Sequence, residues 1–197
     1  MLEYRASTFI AALTALILVF VPSNIYAQSS ANVTTGFSTG IVGQGDYLIP
    51  SVHLGYERPI ASQVRAHGQI RSSHLSSMSD PVKIVRARLT YIDLTVGVDV
   101  TPIEFRRHRL TFGLGLANRA RWEKRALAWQ RRIQNGVVID DRVIYDETRS
   151  VDTGAMVTAM YGVRLTHSFR VGAYMQGYTY DEGTSVFHFG MQTFIAL

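Results

Sequence analysis

The sequence predicts an all-β protein, an eight-stranded antiparallel up-and-down transmembrane β-barrel preceded by a cleaved signal peptide. Three observations predict it. Apolar and polar residues alternate over successive segments of roughly ten residues, which is the pattern of strands with two different faces. Turn residues separate eight such segments, and an apolar leader precedes them. The 197-residue chain also contains 16 Gly, 10 Tyr and 9 Phe, a composition that favours strands and turns over helices.

Residues 1–27 have the features of an export signal. Arg5 lies in a short N-terminal region, an apolar run from Phe9 to Val21 follows, and we expect cleavage after Ala27. The alternative is a transmembrane anchor, which needs about 20 apolar residues, and this run is shorter. The predicted domains are therefore a signal peptide, residues 1–27, and one outer-membrane β-barrel domain, residues 28–197.

The first four predicted strands follow the leader in order. In the second, apolar residues from Leu48 to Tyr56 alternate with His53 and Glu57. A tight turn at residues 58–61 follows, and later links are a polar loop at 72–81 and a turn at 101–108. The four strands lie near residues 33–42, 47–57, 64–71 and 92–100, the last extending back toward Val82.

The last four predicted strands lie near residues 110–119, 157–165, 169–176 and 187–195. The fifth is the clearest, since Leu110 to Leu116 alternate with glycines and no helix explains that spacing. An even strand count places alternate links at opposite ends of the sheet. The links after the second, fourth and sixth strands are short, whereas those at the other end include the two longest. Bacterial outer-membrane barrels have this asymmetry.

Alternation alone does not say whether the apolar face points inward or toward lipid. The opposite face combines charged residues with Gly55, Gly97, Gly113 and Gly115. Glycine weakens a strand, and a water-facing surface does not need it, whereas the interior of an eight-stranded barrel needs small residues beside large ones. We therefore expect the polar face inside and the apolar face in lipid.

The pattern of the mature chain resembles the small outer-membrane β-barrel domain proteins, the OmpA/OmpX-like class. The resemblance is sharpest from Arg107 to Leu116, where a basic residue after a short turn leads into an alternating Leu and Gly strand. It implies an eight-stranded barrel in the bacterial outer membrane. The chain departs from many relatives by ending in Ile195, Ala196 and Leu197 instead of a terminal Phe.

Charges of both signs fall on the predicted inner face. The interpretation we prefer is a network of ion pairs and hydrogen bonds that fills a narrow barrel, because buried charges are usually paired. A pore or proton path is the alternative. The inward residues are His53, Glu57, Arg65, His67, Arg71, Asp93, Asp99, Arg119, Arg164, Arg170 and His188.

His74 and Ser76 form a His-x-Ser element similar to that of the lipid A deacylase barrels, in which His activates a Ser hydroxyl. Ser77 stands where that family has Asn, and the sequence places no acidic partner. We therefore predict no catalytic, cofactor-binding or metal-binding residues and no cofactor. The chain has no Cys, and its formal charge of +5 comes from scattered arginines, so we expect no nucleic acid partner.

The stretch from Arg121 to Arg149 is basic in its first half and acidic in its second, with a tight-turn signal at residues 134–137. We expect the fifth and sixth strands to continue outward as one hairpin, a candidate for binding an extracellular protein by strand addition. An inert loop is the alternative.

These observations predict a monomeric, non-enzymatic outer-membrane protein with a structural or surface-interaction role. Its expected partners are outer-membrane lipid, lipopolysaccharide and an extracellular protein bound by residues 121–149. A lipid A-modifying hydrolase and a soluble periplasmic lipocalin-like barrel remain alternatives.

Overall fold

The computed structural model describes residues 31–42, 47–79, 84–134 and 137–197, and the predicted signal peptide lies outside them. The described residues form eight strands. These are β1 (Asn32–Val42), β2 (Tyr47–Pro59), β3 (Val64–Ser79), β4 (Ile84–Phe105), β5 (His108–Gln134), β6 (Val137–Arg164), β7 (Phe169–Tyr180) and β8 (Ser185–Ala196). None of the described residues forms a helix that is long and apolar enough to cross a membrane.

Each strand pairs antiparallel with its neighbour in sequence, and β1 pairs with β8 to close the barrel. The closing pair runs from Asn32 opposite Ala196 to Val42 opposite Val186. The predicted fold class and strand number are therefore confirmed. Closure leaves every strand with two partners in the body of the barrel, which satisfies the backbone amides there.

Two predicted links are wrong in extent. The polar loop at residues 72–81 belongs largely to β3, which continues to Ser79. The turn at 101–108 contracts to Arg106 and Arg107, because β4 continues to Phe105. Arg106 has a φ of 54°, so the chain reverses there in a left-handed conformation.

The long hairpin at the predicted outer end is confirmed. Pairing of β5 with β6 extends from His108 opposite Val163 to Gln134 opposite Val137. The neighbouring strands are shorter: β4 first pairs with β5 at Ala87, and β7 last pairs with β6 at Tyr180. The part of β5 and β6 beyond these strands, residues 126–134 and 137–145, is called the ribbon below. The predicted tight turn at its tip includes residues 135 and 136, which lie outside the described residues.

Candidate functional site

The outer face of the barrel is apolar. Phe37, Leu48 and Leu114 are each more than 60% exposed, although alternate residues on the same strands are buried. The predicted faces are confirmed, and a lipocalin-like pocket, which needs the apolar side chains inside, does not fit this arrangement. Other outward side chains include Val52, Leu54, Ile70, Val98, Phe112, Leu116, Val157, Met175, Phe187, Phe189 and Met191.

The height of the apolar belt can be followed along β5. Outward positions run from Leu110 through Leu116 and Ala120 to Trp122, and Lys124 is the first charged one. With a rise of about 3.3 Å per residue and a strand tilt of about 40°, ten residues advance about 25 Å along the barrel axis. That distance matches the apolar band of outer-membrane barrels. The outer edge of the belt therefore lies near Ala120 and Trp122.

Near this outer edge, the interior contains a buried ion pair. Nε and Nη2 of Arg119 donate to Oδ1 and Oδ2 of Asp93 at 2.6 and 3.1 Å, and the Tyr180 hydroxyl donates to Oδ1 at 2.9 Å. The guanidinium carbon lies 4.6 Å from the Tyr91 ring centroid and 4.3 Å from that of Tyr180. The charge pair is thus sealed between two aromatic rings.

Arg71 occupies the middle of the barrel. Its guanidinium donates to the hydroxyl of Tyr178 at 3.0 Å and to Oε1 of Gln176. The hydroxyl of Tyr174 lies 3.5 Å from Nη2 of Arg71 and 3.0 Å from Nδ1 of His53. Neutral acceptors from β7 therefore surround this cation.

A second group of ionisable residues lies toward the end that contains the termini. Nδ1 of His67 is 2.9 Å from Oδ2 of Asp99. Glu57 accepts from Nδ2 of Asn32 at 3.3 Å and lies 4.0 Å from Nη1 of Arg65. A cavity of about 30 Å³ beside these groups is large enough for water molecules.

The predicted inward residues therefore lie inside, except Arg164, whose side chain is 40% exposed at the barrel end. Among the described contacts they do not form one continuous chain of bonds. Near the barrel end, Nη2 of Arg164 lies 3.2 Å and Nη2 of Arg170 lies 3.9 Å from Oε1 of Glu104. Nδ1 of His188 lies 3.4 Å from Oγ of Ser38. These side chains fill the described interior in the way the network interpretation requires.

Tight packing explains the inward glycines. A Cβ on Gly97 would lie 2.7 Å from Cε1 of His67 and would overlap the backbone oxygen of Leu114. A Cβ on Gly113 would overlap the Asp99 carboxylate. The prediction that glycine marks the crowded face is confirmed.

The interior tyrosines were not among the predicted site residues. Tyr174, Tyr178 and Tyr180 are each 4% exposed or less, and their hydroxyls hydrogen-bond to His53, Arg71 and Asp93. They lie an even number of residues from Arg170 and Gln176 on β7, so they project to the same, inward face of the strand. That parity was the signal that could have identified them.

His74 and Ser76 lie on the outward face of β3, and both are exposed. Nδ1 of His74 lies 2.9 Å from Oγ1 of Thr90, its cross-strand partner, and no hydrogen bond joins His74 to Ser76 among the described contacts. This geometry is not that of a nucleophile and its base. In the described part of the chain, no cluster of three or more His, Asp and Glu side chains could hold a metal ion.

The ribbon and its base bring opposite charges together by register. Lys124 lies opposite Glu147, and its Nζ donates to Oε1 at 2.6 Å. Farther out, basic positions on β5 pair with acidic positions on β6, as the sequence predicts. These pairs are Arg125 with Asp146, Arg131 with Asp141 and Arg132 with Asp140.

Solved structures resemble this barrel. Neisserial surface protein A (NspA) superposes with a TM-score of 0.63 at 8% identity, covering 86% of this chain and 98% of that one. Ail, the attachment invasion locus protein of Yersinia pestis, gives 0.58 at 12% identity, covering 87% and 100%. The chain has the fold of the small outer-membrane β-barrels. No protein-family model and no curated protein matches the sequence.

Proposed function

We propose that the chain is an integral protein of the bacterial outer membrane with a structural or surface-interaction role and no catalytic activity. The observation that carries the proposal is a closed barrel with an apolar exterior and a charged, filled interior. Such a surface is stable in lipid and would aggregate in water. Residues 1–27 would be removed during export, and residues 28–197 would form the mature barrel.

The barrel would act as a monomer surrounded by outer-membrane lipid and lipopolysaccharide. Two features support this. The β1–β8 closure leaves no strand edge for a second copy in the belt. Between Arg58 at one end and the group of Arg88, Lys124 and Arg149 at the other, the described outward positions contain no Asp, Glu, Lys or Arg.

The ribbon would be the interaction element. It projects from the end opposite the two termini, where β4 and β7 no longer flank it. A two-stranded ribbon offers backbone donors and acceptors along both edges, and an extended partner segment can pair with them. The proposed partner is therefore an extracellular protein that adds a strand.

The membrane location is tested by fractionating the cell envelope and comparing the electrophoretic mobility of unheated and boiled protein. A heat-modifiable band in the outer-membrane fraction supports the proposal. A soluble periplasmic protein without a mobility shift would overturn it.

The ribbon is tested by replacing residues 126–145 with Asn-Gly, which joins Arg125 to its cross-strand partner Asp146 through a favoured tight turn. The shortened barrel should keep its heat-modifiable band and lose surface adhesion or partner capture. Unchanged adhesion and capture would favour an inert loop. The matched control is the unchanged full-length chain, in which residues 135–136 also have the sequence Asn-Gly.

A further inference from the structure

A cavity lined by charged and polar side chains lies on the outward face of β4, β5 and β6, at the base of the ribbon. It has a volume of about 120 Å³, which is room for a group larger than one water molecule. Its lining includes three cations and one indole, with two carboxylates and two hydroxyls beside them: Arg88, Lys124, Arg149, Trp122, Glu123, Glu147, Thr90 and Thr148.

The pairing of β4, β5 and β6 brings these residues together. Arg88 and Glu147 are the cross-strand partners of Lys124, on either side of it. In the row below, Thr90 and Arg149 flank Trp122 in the same way. Directly opposed residues have Cβ atoms about 5 Å apart, so the strand register fixes the whole group on one rigid surface.

The cations differ in what they contact. Nζ of Lys124 binds Glu147 and lies 4.5 Å from the Tyr145 ring centroid. Among the described side chains, neither Arg88 nor Arg149 makes a hydrogen bond or an ion pair within 4 Å, although the charge of Arg149 also helps to lower the pKa of Glu147. The lining has three cations and two carboxylates, Glu123 and Glu147, so its formal charge is +1. The planar guanidinium groups of Arg88 and Arg149 can each offer two parallel N–H donors to an anion.

The position of the cavity restricts the anion that it meets. Trp122 lies at the outer edge of the apolar belt, and aromatic residues prefer that depth in membranes. Lys124 and Arg88 lie one row farther out, at the depth of lipid headgroups. Among the residues described at the same edge of the barrel, the outward Ile41, Leu48, Thr179 and Phe187 are uncharged, so the described cations of the group lie on β4, β5 and β6.

We infer that Arg88, Arg149 and Lys124 form a binding site for the phosphate of an outer-leaflet lipid headgroup, with Trp122 against the sugar or upper acyl region. The inference rests on the outer-membrane location proposed above. Arginine binds phosphate through two parallel N–H donors, and lysine adds a point charge. A lipid phosphate also arrives attached to chains that occupy the belt directly below.

The test uses the mature barrel in phosphatidylcholine nanodiscs that contain either diphosphorylated lipid A or lipid A stripped of its phosphates. Trp129→Phe leaves Trp122 as the only fluorophore of its kind, since the chain has two Trp residues. The phosphorylated lipid should change Trp122 emission and remain bound in native mass spectra. Arg88→Gln and Arg149→Gln should each weaken this binding about fivefold, as expected for partly exposed charged hydrogen bonds.

The control is Arg107→Gln, which removes the same charge at the opposite end of the barrel and should leave binding unchanged. Equal binding of the two lipid A forms would overturn the inference, and so would an equal loss in the control. If inorganic phosphate alone produced the same response at the same concentration, the occupant would be free phosphate and the lipid assignment would be wrong.

Failure here is distinguishable from failure of the proposed function. A chain that inserts and is heat-modifiable but shows no preference for the phosphorylated lipid contradicts only the phosphate site. A chain that does not insert into bilayers contradicts both.

Discussion

At the residue scale, the inner face must neutralise arginines that water cannot reach. Arg119 and Asp93 are 2% and 0% exposed, and their bidentate contact is supplemented by the Tyr180 hydroxyl. Arg71 instead relies on tyrosine and glutamine oxygens. The two arrangements should differ in their sensitivity to mutation. Removing the negatively charged partner of a buried cation lowers the free energy of unfolding much more than removing one neutral hydrogen-bond partner does.

Asp93→Asn should therefore destabilise the barrel by about 3–5 kcal/mol, since it leaves the Arg119 charge buried without its counter-ion. The measurement is equilibrium unfolding in urea of protein refolded into lipid vesicles. Asp181→Asn, in the exposed link between β7 and β8, is the control and should change little. Similar unfolding midpoints for the two variants would contradict the role assigned to the pair.

The sequence could predict which charges face inward, because side-chain parity follows directly from strand geometry. It could not predict which of them pair. Arg119 meets Asp93 because β4 and β5 share a particular register, and Arg71 on β3 reaches Tyr178 across the barrel on β7. Contacts across the barrel depend on diameter and strand stagger, which alternation within one strand does not report.

At the scale of single elements, the alternation reports contact with lipid more than it reports strand structure. Ser72, His74 and Ser76 are polar outward residues of β3 at or beyond the outer edge of the apolar belt. The inward residues between them are the polar Ser73 and the apolar Leu75, so the outward face is no longer the apolar one. The pattern therefore ended before the strand did, and a loop was predicted. At the other end, Pro102 and a register shift between Val100 and Ile103 changed the phase, and the end of β4 looked like a turn.

The base of the ribbon should respond to pH. The hydrogen bond from Lys124 and its charge hold the pKa of Glu147 below its usual value of 4.5. A lowered carboxylate pKa adds stability that is complete above the usual pKa and is lost as the pH falls through the lowered one. Lys124→Gln should raise the pKa of Glu147 toward 4.5. The measurement is the carboxyl carbon chemical shift in an NMR titration.

The matched variant is Lys124→Arg, which keeps the charge and should keep the pKa of Glu147 low. A titration midpoint that is the same with Gln and with Lys at position 124 would show that the pair does not form in solution.

At the scale of the whole molecule, an introduced arginine should destabilise the barrel much more in the apolar belt than on the ribbon. Leu114 is 68% exposed in the middle of the belt, and Ile144 is 42% exposed on the ribbon. Leu114→Arg should destabilise the inserted barrel by about 2–4 kcal/mol, the cost of arginine at mid-bilayer. Ile144→Arg should have an effect within about 0.5 kcal/mol, as for a water-facing site.

The measurement is urea unfolding in lipid vesicles for both variants. Equal effects at the two positions would mean that Leu114 does not face hydrocarbon, and the barrel would then need another environment to cover its exterior.

The β1–β8 closure also governs how the molecule can be assembled. Seven of the eight strand pairings join neighbours in sequence, but the closing one brings Asn32 to Ala196. Joining distant parts of a chain costs conformational entropy before any contact is gained, so this pairing should form last and slowly. Until then, β1 and β8 present unpaired amides that hydrocarbon cannot satisfy. A partly formed barrel is therefore unstable within the bilayer. We expect pairing of β1 with β8 to limit the rate of insertion.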